Sequence, residues 1–304
     1  MANSPFDRCV AAPPMGIGLG VDVFDDQPDW QVLIESFREG FDFLELYSRG
    51  DADHCEFLRE FPAEIPRTYH HEGLDPVGPK LCDLKSIDDC QLQIERLSPP
   101  WVVEELAVRH IDGFYTDFFF PAVLIEDSVK TSIANLKTIQ ARLSAPLLPE
   151  NPPYEFHVGD MHLFDFLNQV SHGAEMGIVL DLGHVWSYQL CIGKGDTPCD
   201  NLDTLDLSRV IEIHLAGARV EAVKGKNAKR AGIYRDLHGA GPIPEESFEL
   251  LEAVLPKASN LRAITVEVET STEENAVKQV DQVRKAVERI APEYFNRVAA
   301  AAGR

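Results

Sequence analysis

The sequence predicts a (β/α)8 barrel in a single domain, and three observations carry that prediction. Eight short β-prone runs recur along the 304 residues, stretches of helical periodicity separate them, and polar side chains gather where the runs end. Strand then helix, eight times over, is the pattern of a closed parallel barrel, a fold that takes about 250 residues as one unit. A doubly wound open sheet is the competing topology for the same alternation.

The eight runs are MGIGLGVDV (15–23), FDFLELYS (41–48), EIPRTYHH (64–71), PWVVEEL (100–106), APLLPEN (145–151), GIVLDLGH (177–184), VIEIHLAG (210–217) and AITVEVE (263–269). Between them, DWQVLIESFREG, DSVKTSIANLKTIQARLS, HLFDFLNQVSHGAEM and EESFELLEAVL repeat apolar residues at three and four, which gives each one buried helical face. A longer helix over 273–290 suits the last barrel position. The barrel is expected over 15–292, with short flexible tails outside it. In GIGLG the glycines read as close packing at the barrel's start, because no helix signature follows to make a phosphate loop.

Composition narrows the function. No apolar run approaches the roughly 18 residues that span a bilayer, and the first residues lack the basic start and apolar stretch of a signal peptide, so a cytoplasmic protein off the membrane is expected. Six cysteines without a CxxC pair read as reduced thiols. A formal net charge of −22 repels nucleic acid and anionic membrane at long range, and favours cationic partners or metals.

In barrels of this class, function sits where strands end and loops begin. Here the third run ends in His70 and His71, the fourth in Glu104 and Glu105, the fifth in Glu150 and Asn151, and the sixth in Asp181 with His184 three positions on. The seventh carries His214, the loop after it adds Asp236 and His238 in YRDLHG, and the eighth carries Glu267 and Glu269. A histidine inside a strand is more often a hydrogen-bonded core residue than a ligand, and a lone DxxH is common. Six strands agreeing is different. Ionised carboxylates and imidazoles buried together cost several kcal/mol each unless they share a counter-charge. The set therefore points to divalent metal, and imidazole mixed with carboxylate suits iron, manganese or zinc better than calcium.

Read in order, GIGLG, FLELY, HHEGL, VEELA, LPENPPY, LDLGHVW, EIHLAG, DLHG and TVEVE resemble the multinuclear non-heme iron-dependent oxidases, the family of the methanobactin-biosynthesis oxidase. The resemblance runs nearly the length of the barrel. It implies a barrel that holds two or three iron ions, activates O2, and oxidises a residue, usually cysteine, of a ribosomally made peptide, with or without a separate partner that binds the peptide's leader. By position it implies metal ligation by His70, Glu150, Asp181, His184, His214, Asp236, His238 and Glu267, with His71 the alternative to His70. One place departs: where the family's fourth strand reads Ser-Glu-His-Leu, this chain has Val103-Glu104-Glu105-Leu106, so that Glu105 stands in the histidine's place, and the third ion is either kept on it with altered affinity or lost. The other reading of the same residues is a divalent-metal sugar isomerase or epimerase, or a metal phosphodiesterase.

Four further segments carry expectations. The basic stretch 218–235 is either a holder of acidic peptide or a solvated loop; CIGKGDTPC (191–199) is a candidate lid with a conceivable disulfide. The aromatic FYTDFFFPAV (114–123) lines a groove or joins the core, and Trp186 either stacks on substrate or caps the barrel.

Overall fold

A computed structural model describes residues 3–24, 28–49, 52–222, 232–301 and 303. Among them lie β1 (Gly16–Asp22), β2 (Leu44–Arg49), β3 (Arg67–Glu72), β4 (Val102–Glu105), β5 (Ala107–Ile111), β6 (Phe114–Pro121), β7 (Leu147–Glu150), β8 (Ile178–Asp181), β9 (Val210–Ala216), β10 (Ala218–Ala222), β11 (Gly232–Asp236) and β12 (Ala263–Glu267). Eight of these close into a parallel barrel in the order β1-β12-β9-β8-β7-β4-β3-β2. It is a TIM barrel, and each of its strands falls within or alongside one of the eight runs.

Alternation sorts the side chains. Ile17, Leu19, Val21, Leu46, Tyr69 and Val102 point outward into the large core beneath the helices, while Phe43, Trp101, Val103, Leu148, Val179 and Ile211 fill the bottom of the barrel interior. The glycines of β1 answer to that bottom layer: a methyl group on Gly18 would stand 2.6 Å from the Phe43 ring. Further toward the upper rim the inward positions turn polar. That layer carries Glu45, Thr68, Glu212 and Thr265, all buried.

The helices keep the expected periodicity with tighter ends, at Trp30–Ser36, Glu126–Gln140, Leu163–Ala174, Glu245–Val254 and Glu273–Ile290. The sixth run is shorter than expected. Its strand stops at Asp181, whose carboxylate caps the helix Leu182–Cys191 by accepting the His184 amide at 2.5 Å. His184 is thus a first-turn helical residue. The segments expected as tails are helical where described: Pro5–Ala11 buries Cys9 against the barrel floor, and Pro292–Ala301 buries Tyr294, whose hydroxyl donates to the Gly16 carbonyl at 2.9 Å.

Two antiparallel hairpins leave the barrel at its upper rim, β5 with β6 and β10 with β11. In the first, Asp112 and Gly113 both take positive φ (51° and 81°), the left-handed pair that a two-residue hairpin turn requires. FYTDFFFPAV is therefore hairpin rather than core, with Phe114 77% exposed. The basic stretch supplies β10 and β11, and its residues 223–231 lie outside the described residues.

Helix Leu182–Cys191 begins at the rim, and the candidate lid after it folds back along the helix, with the Gly195 carbonyl 3.1 Å from Trp186 Nε1 and Cys199 Sγ 3.7 Å from the Glu249 carbonyl. No disulfide joins Cys191 to Cys199. Trp186 is buried against Tyr234 and donates to the Gly195 carbonyl at 3.1 Å, which makes it a packing residue. Among the described residues no helix is long and apolar enough to cross a membrane.

Candidate metal centre

The upper interior of the barrel is a continuous array of imidazoles and carboxylates. Register places His70 beside Val103, an interior residue, and His71 one step out of phase. His70 Nε2 accordingly lies 3.0 Å from Glu150 Oε2 and 3.9 Å from Glu105 Oε1. His71 faces outward, its Nδ1 2.7 Å from the Tyr69 hydroxyl. From β9, His214 stands with Nδ1 3.1 Å from Glu150 Oε1 and 3.4 Å from Glu267 Oε1. His70, Glu150, His214 and Glu267 thus bring one ligand atom each within 4.8 Å of one another.

A second group adjoins the first. His184 Nε2 and His238 Nε2 both lie 2.9 Å from Asp236 Oδ2, and these three likewise bring one ligand atom each within 4.8 Å of one another. Glu150 with Asp181 and His184, and His238 with Glu267 and Glu269, form two further such groups that bridge the first pair. Among the described residues Glu105 joins none of these groups, although it is buried beside them. The hairpin β10–β11 delivers Asp236, where the sequence had indicated only a loop.

Neighbours hold these side chains in place. Asn151 uses its carbonyl to engage His184 Nδ1 at 2.8 Å, while its side chain brackets Asp181, accepting from the Asp181 amide at 3.0 Å and donating to the Asp181 carbonyl at 2.9 Å. One residue therefore orients two others. Toward β2, the Tyr47 ring packs 5.0 Å from the His70 ring and its hydroxyl donates to Glu72, which also pairs with Arg109 and Tyr115. Beyond that rim lies a cavity of about 980 Å³ lined by Glu72, Asp75, Cys82, His110 and Tyr115.

Electrostatics follow from burial set against pairing. Burial disfavours a charged imidazole, yet Glu105 and Glu150 hold His70 up at about 10, and Asp181 and Asp236 hold His184 at about 10. His214 and His238 are likewise held well above the usual histidine range by Glu150 and Asp236 respectively. Burial pushes Glu105 and Asp181 up to about 7. Against the same burial, His214 and His70 pull Glu150 well below the carboxylate range, and His238 and His184 do so for Asp236.

These residues fit a metal ion better than they fit each other. Glu105 Oε2, Glu150 Oε1, Asp181 Oδ2, both ring nitrogens of His214, His238 Nε2 and Glu267 Oε2 are buried without a well-directed hydrogen bond, although such atoms in an interior are nearly always satisfied. Lone-pair-bearing atoms short of donors and beside one another are what cations would complete. The donor set, imidazole nitrogen with carboxylate oxygen, suits iron, manganese or zinc.

Sequence reasoning missed a lower tier. Glu45 and Glu212 approach His214 from below, and the three also lie within 4.8 Å of one another. The signal was present as the acid Glu45 in FLELY and as Glu212 in VIEIHL, the latter two residues before His214 and so on the same face of its strand.

Comparison with known proteins bears on this site. A family model described as "RiPP precursor modification enzyme MbnB/TglH/ChrH" matches residues 16–291, RiPPs being ribosomally synthesised, post-translationally modified peptides. A UPF0276 protein of Caulobacter vibrioides is 24% identical over 259 residues, 83% of this chain and 84% of its own. One of Neisseria meningitidis serogroup B is 27% identical over 197 residues, 63% of this chain and 66% of its own. Among solved structures, a xylose isomerase-like TIM barrel protein from Mycobacterium smegmatis in complex with magnesium aligns at a TM-score of 0.59 with 10% identity, over 95% of this chain and 99% of its own. Endonuclease IV from Thermus thermophilus aligns at 0.51 with 18% identity, over 90% and 99%. Likenesses at that identity concern the fold alone.

Proposed function

The chain belongs to the RiPP precursor modification enzyme family, and on that premise we propose that it is an O2-dependent, multinuclear non-heme iron oxidase that modifies a residue, cysteine by preference, of a ribosomal peptide. The observation that carries the reading is the set of buried, partnerless lone pairs on Glu150, Asp181, His214, His238 and Glu267. Ion pairs within the set, such as His214 Nδ1 with Glu150 Oε1 at 3.1 Å, leave these atoms without a well-directed hydrogen bond.

In this reading His70, Glu150, His214 and Glu267 hold one ion, His184, Asp236 and His238 a second, and Glu105 contributes to a third. Bound iron would supply O2 activation and a coordination position for a substrate thiolate. The protein's own part is to present ligands in fixed orientation and to keep water out. Asn151 sets the His184 ring, and the closed apolar floor of Phe43, Trp101 and Leu148 leaves the rim as the way in. The cavity beside Glu72 and the exposed face of hairpin β5–β6 flank that entrance, where an extended peptide would approach. A separate leader-binding partner belongs to this proposal. So does a cytoplasmic setting, which the absence of disulfides among the six cysteines supports.

The second reading, a divalent-metal isomerase, epimerase or phosphodiesterase, draws on solved structures such as the magnesium-bound xylose isomerase-like protein and D-allulose 3-epimerase from Methylomonas, at TM-scores of 0.59 and 0.53. Metal analysis and Mössbauer spectroscopy of anaerobically purified protein, followed by O2 uptake with a Cys-containing peptide encoded beside the gene, separates the two. Iron with peptide-dependent O2 uptake is expected. Magnesium or manganese alone, with no uptake, overturns the proposal.

A further inference from the structure

The geometry points to Glu45, backed by Glu212, as a positioning residue that fixes the His214 ring so that Nδ1 and not Nε2 serves the metal centre. This rests on the metal-centre reading above and adds a tier beneath it.

Glu45 projects from β2 and His214 from β9, two strands separated in the barrel by β1 and β12, so their contact crosses the interior. Glycines at the inward positions 18 and 20 of β1 place no side chain in the way. All three of Glu45, Glu212 and His214 are 1% exposed or less. Any unmatched donor or acceptor there is costly, which makes an account of their hydrogen bonds decisive.

Glu212 is fully engaged. Its Oε1 accepts from Thr265 Oγ1 at 2.6 Å and its Oε2 from Trp101 Nε1 at 2.6 Å. Glu45 Oε2 accepts from Thr68 Oγ1 at 3.0 Å. Of the four carboxylate oxygens only Glu45 Oε1 is left, and it lies 3.1 Å from His214 Nε2, with Glu212 Oε1 at 3.8 Å from the same nitrogen. A cation between these groups would have to share oxygens that already accept from Thr265, Trp101 and Thr68, whereas a proton on Nε2 needs only Glu45 Oε1.

With the proton on Nε2, the nitrogen that lies 3.1 Å from Glu45 Oε1, Nδ1 carries the lone pair, and Nδ1 is the nitrogen that lies near Glu150 and Glu267. The arrangement is a carboxylate that orients and strengthens a histidine from behind, a pairing whose loss costs about 10–100-fold in metal affinity where it has been tested. Thr68, Thr265 and Trp101 in turn keep the two acids from rotating away. Sequence spacing agrees: Glu212 and His214 sit two apart on one strand and so share its inner face.

Two measurements test the assignment without relying on turnover. In the zinc-loaded full-length protein, ¹⁵N NMR of labelled histidines, with His214 identified through His214→Gln, is expected to show metal on Nδ1 and a proton on Nε2. Metal on Nε2 overturns the inference. In zinc competition titrations Glu45→Ala is expected to weaken the tightest site by about 10–100-fold, with Glu45→Gln recovering much of the loss because its amide oxygen still accepts. A folded Glu45→Ala of unchanged affinity also overturns it, and if that variant fails to fold, the wild-type spectrum decides alone. Wild-type protein that takes up no zinc would instead fail the metal-centre reading, a result distinct from zinc bound through the wrong nitrogen.

Discussion

His184 Nε2 lies 2.9 Å from Asp236 Oδ2, and that contact ties the first turn of the helix after β8 to the hairpin that grows from β9. Asp236→Ala removes the carboxylate shared by His184 and His238 while deleting almost no buried apolar area. The variant is expected to keep its circular dichroism and to lose about one metal equivalent per chain, as read by elemental analysis. Full metal content would make Asp236 a partner of histidines only.

Glu105 stands 3.9 Å from His70 at the position where the resembling family places histidine. A ligand there is expected to respond to chemistry rather than to size. Glu105→His should keep or raise the iron count per chain, and Glu105→Gln should lower it. Counts unchanged in both would remove Glu105 from the ligand set.

The metal-free protein should lose stability as pH rises from 7 to 9. His70 and His184, held at about 10 in the folded chain against an ordinary value of 6.5, contribute stability that is whole below 6.5 and disappears as pH climbs toward 10. Glu105 and Asp181, raised to about 7, have already given up theirs by pH 7. Glu150 and Asp236 are depressed, so their contribution is lost only on acidification and stays constant across this window. Thermal melts in chelator should show Tm falling between pH 7 and 9, and added metal should flatten the trend by taking the protons' place. A Tm that rises with pH in the metal-free protein would contradict the pairing described.

Gly18→Ala tests the barrel floor. Its methyl group would meet the Phe43 ring at 2.6 Å, and overpacking of this kind costs about 1–3 kcal/mol. Urea unfolding should show that loss, with metal content unchanged in the folded protein. A neutral result would mean that the floor relaxes freely.

Much of this was legible in the residues themselves. Strand positions were readable because buried parallel strands are apolar runs, and His70, Glu150, Asp181, His214 and Glu267 stood out as charges that such runs cannot carry without cause. The hairpins β5–β6 and β10–β11 escaped notice, although Asp112-Gly113 marks the turn of the first. Glu45 and Glu212 passed as ordinary strand acids.

The chain's own order of residues determined the eight-fold alternation, the helical faces and the identity of the groups at the strand ends, because each depends on side-chain period and on local propensity. Only the closed barrel decided which of His70 and His71 looks inward, and that Glu45 reaches His214 across the interior. Those facts depend on the register between strands far apart in the chain. A shift of one residue would turn every such side chain to the other face, and local sequence does not encode that register.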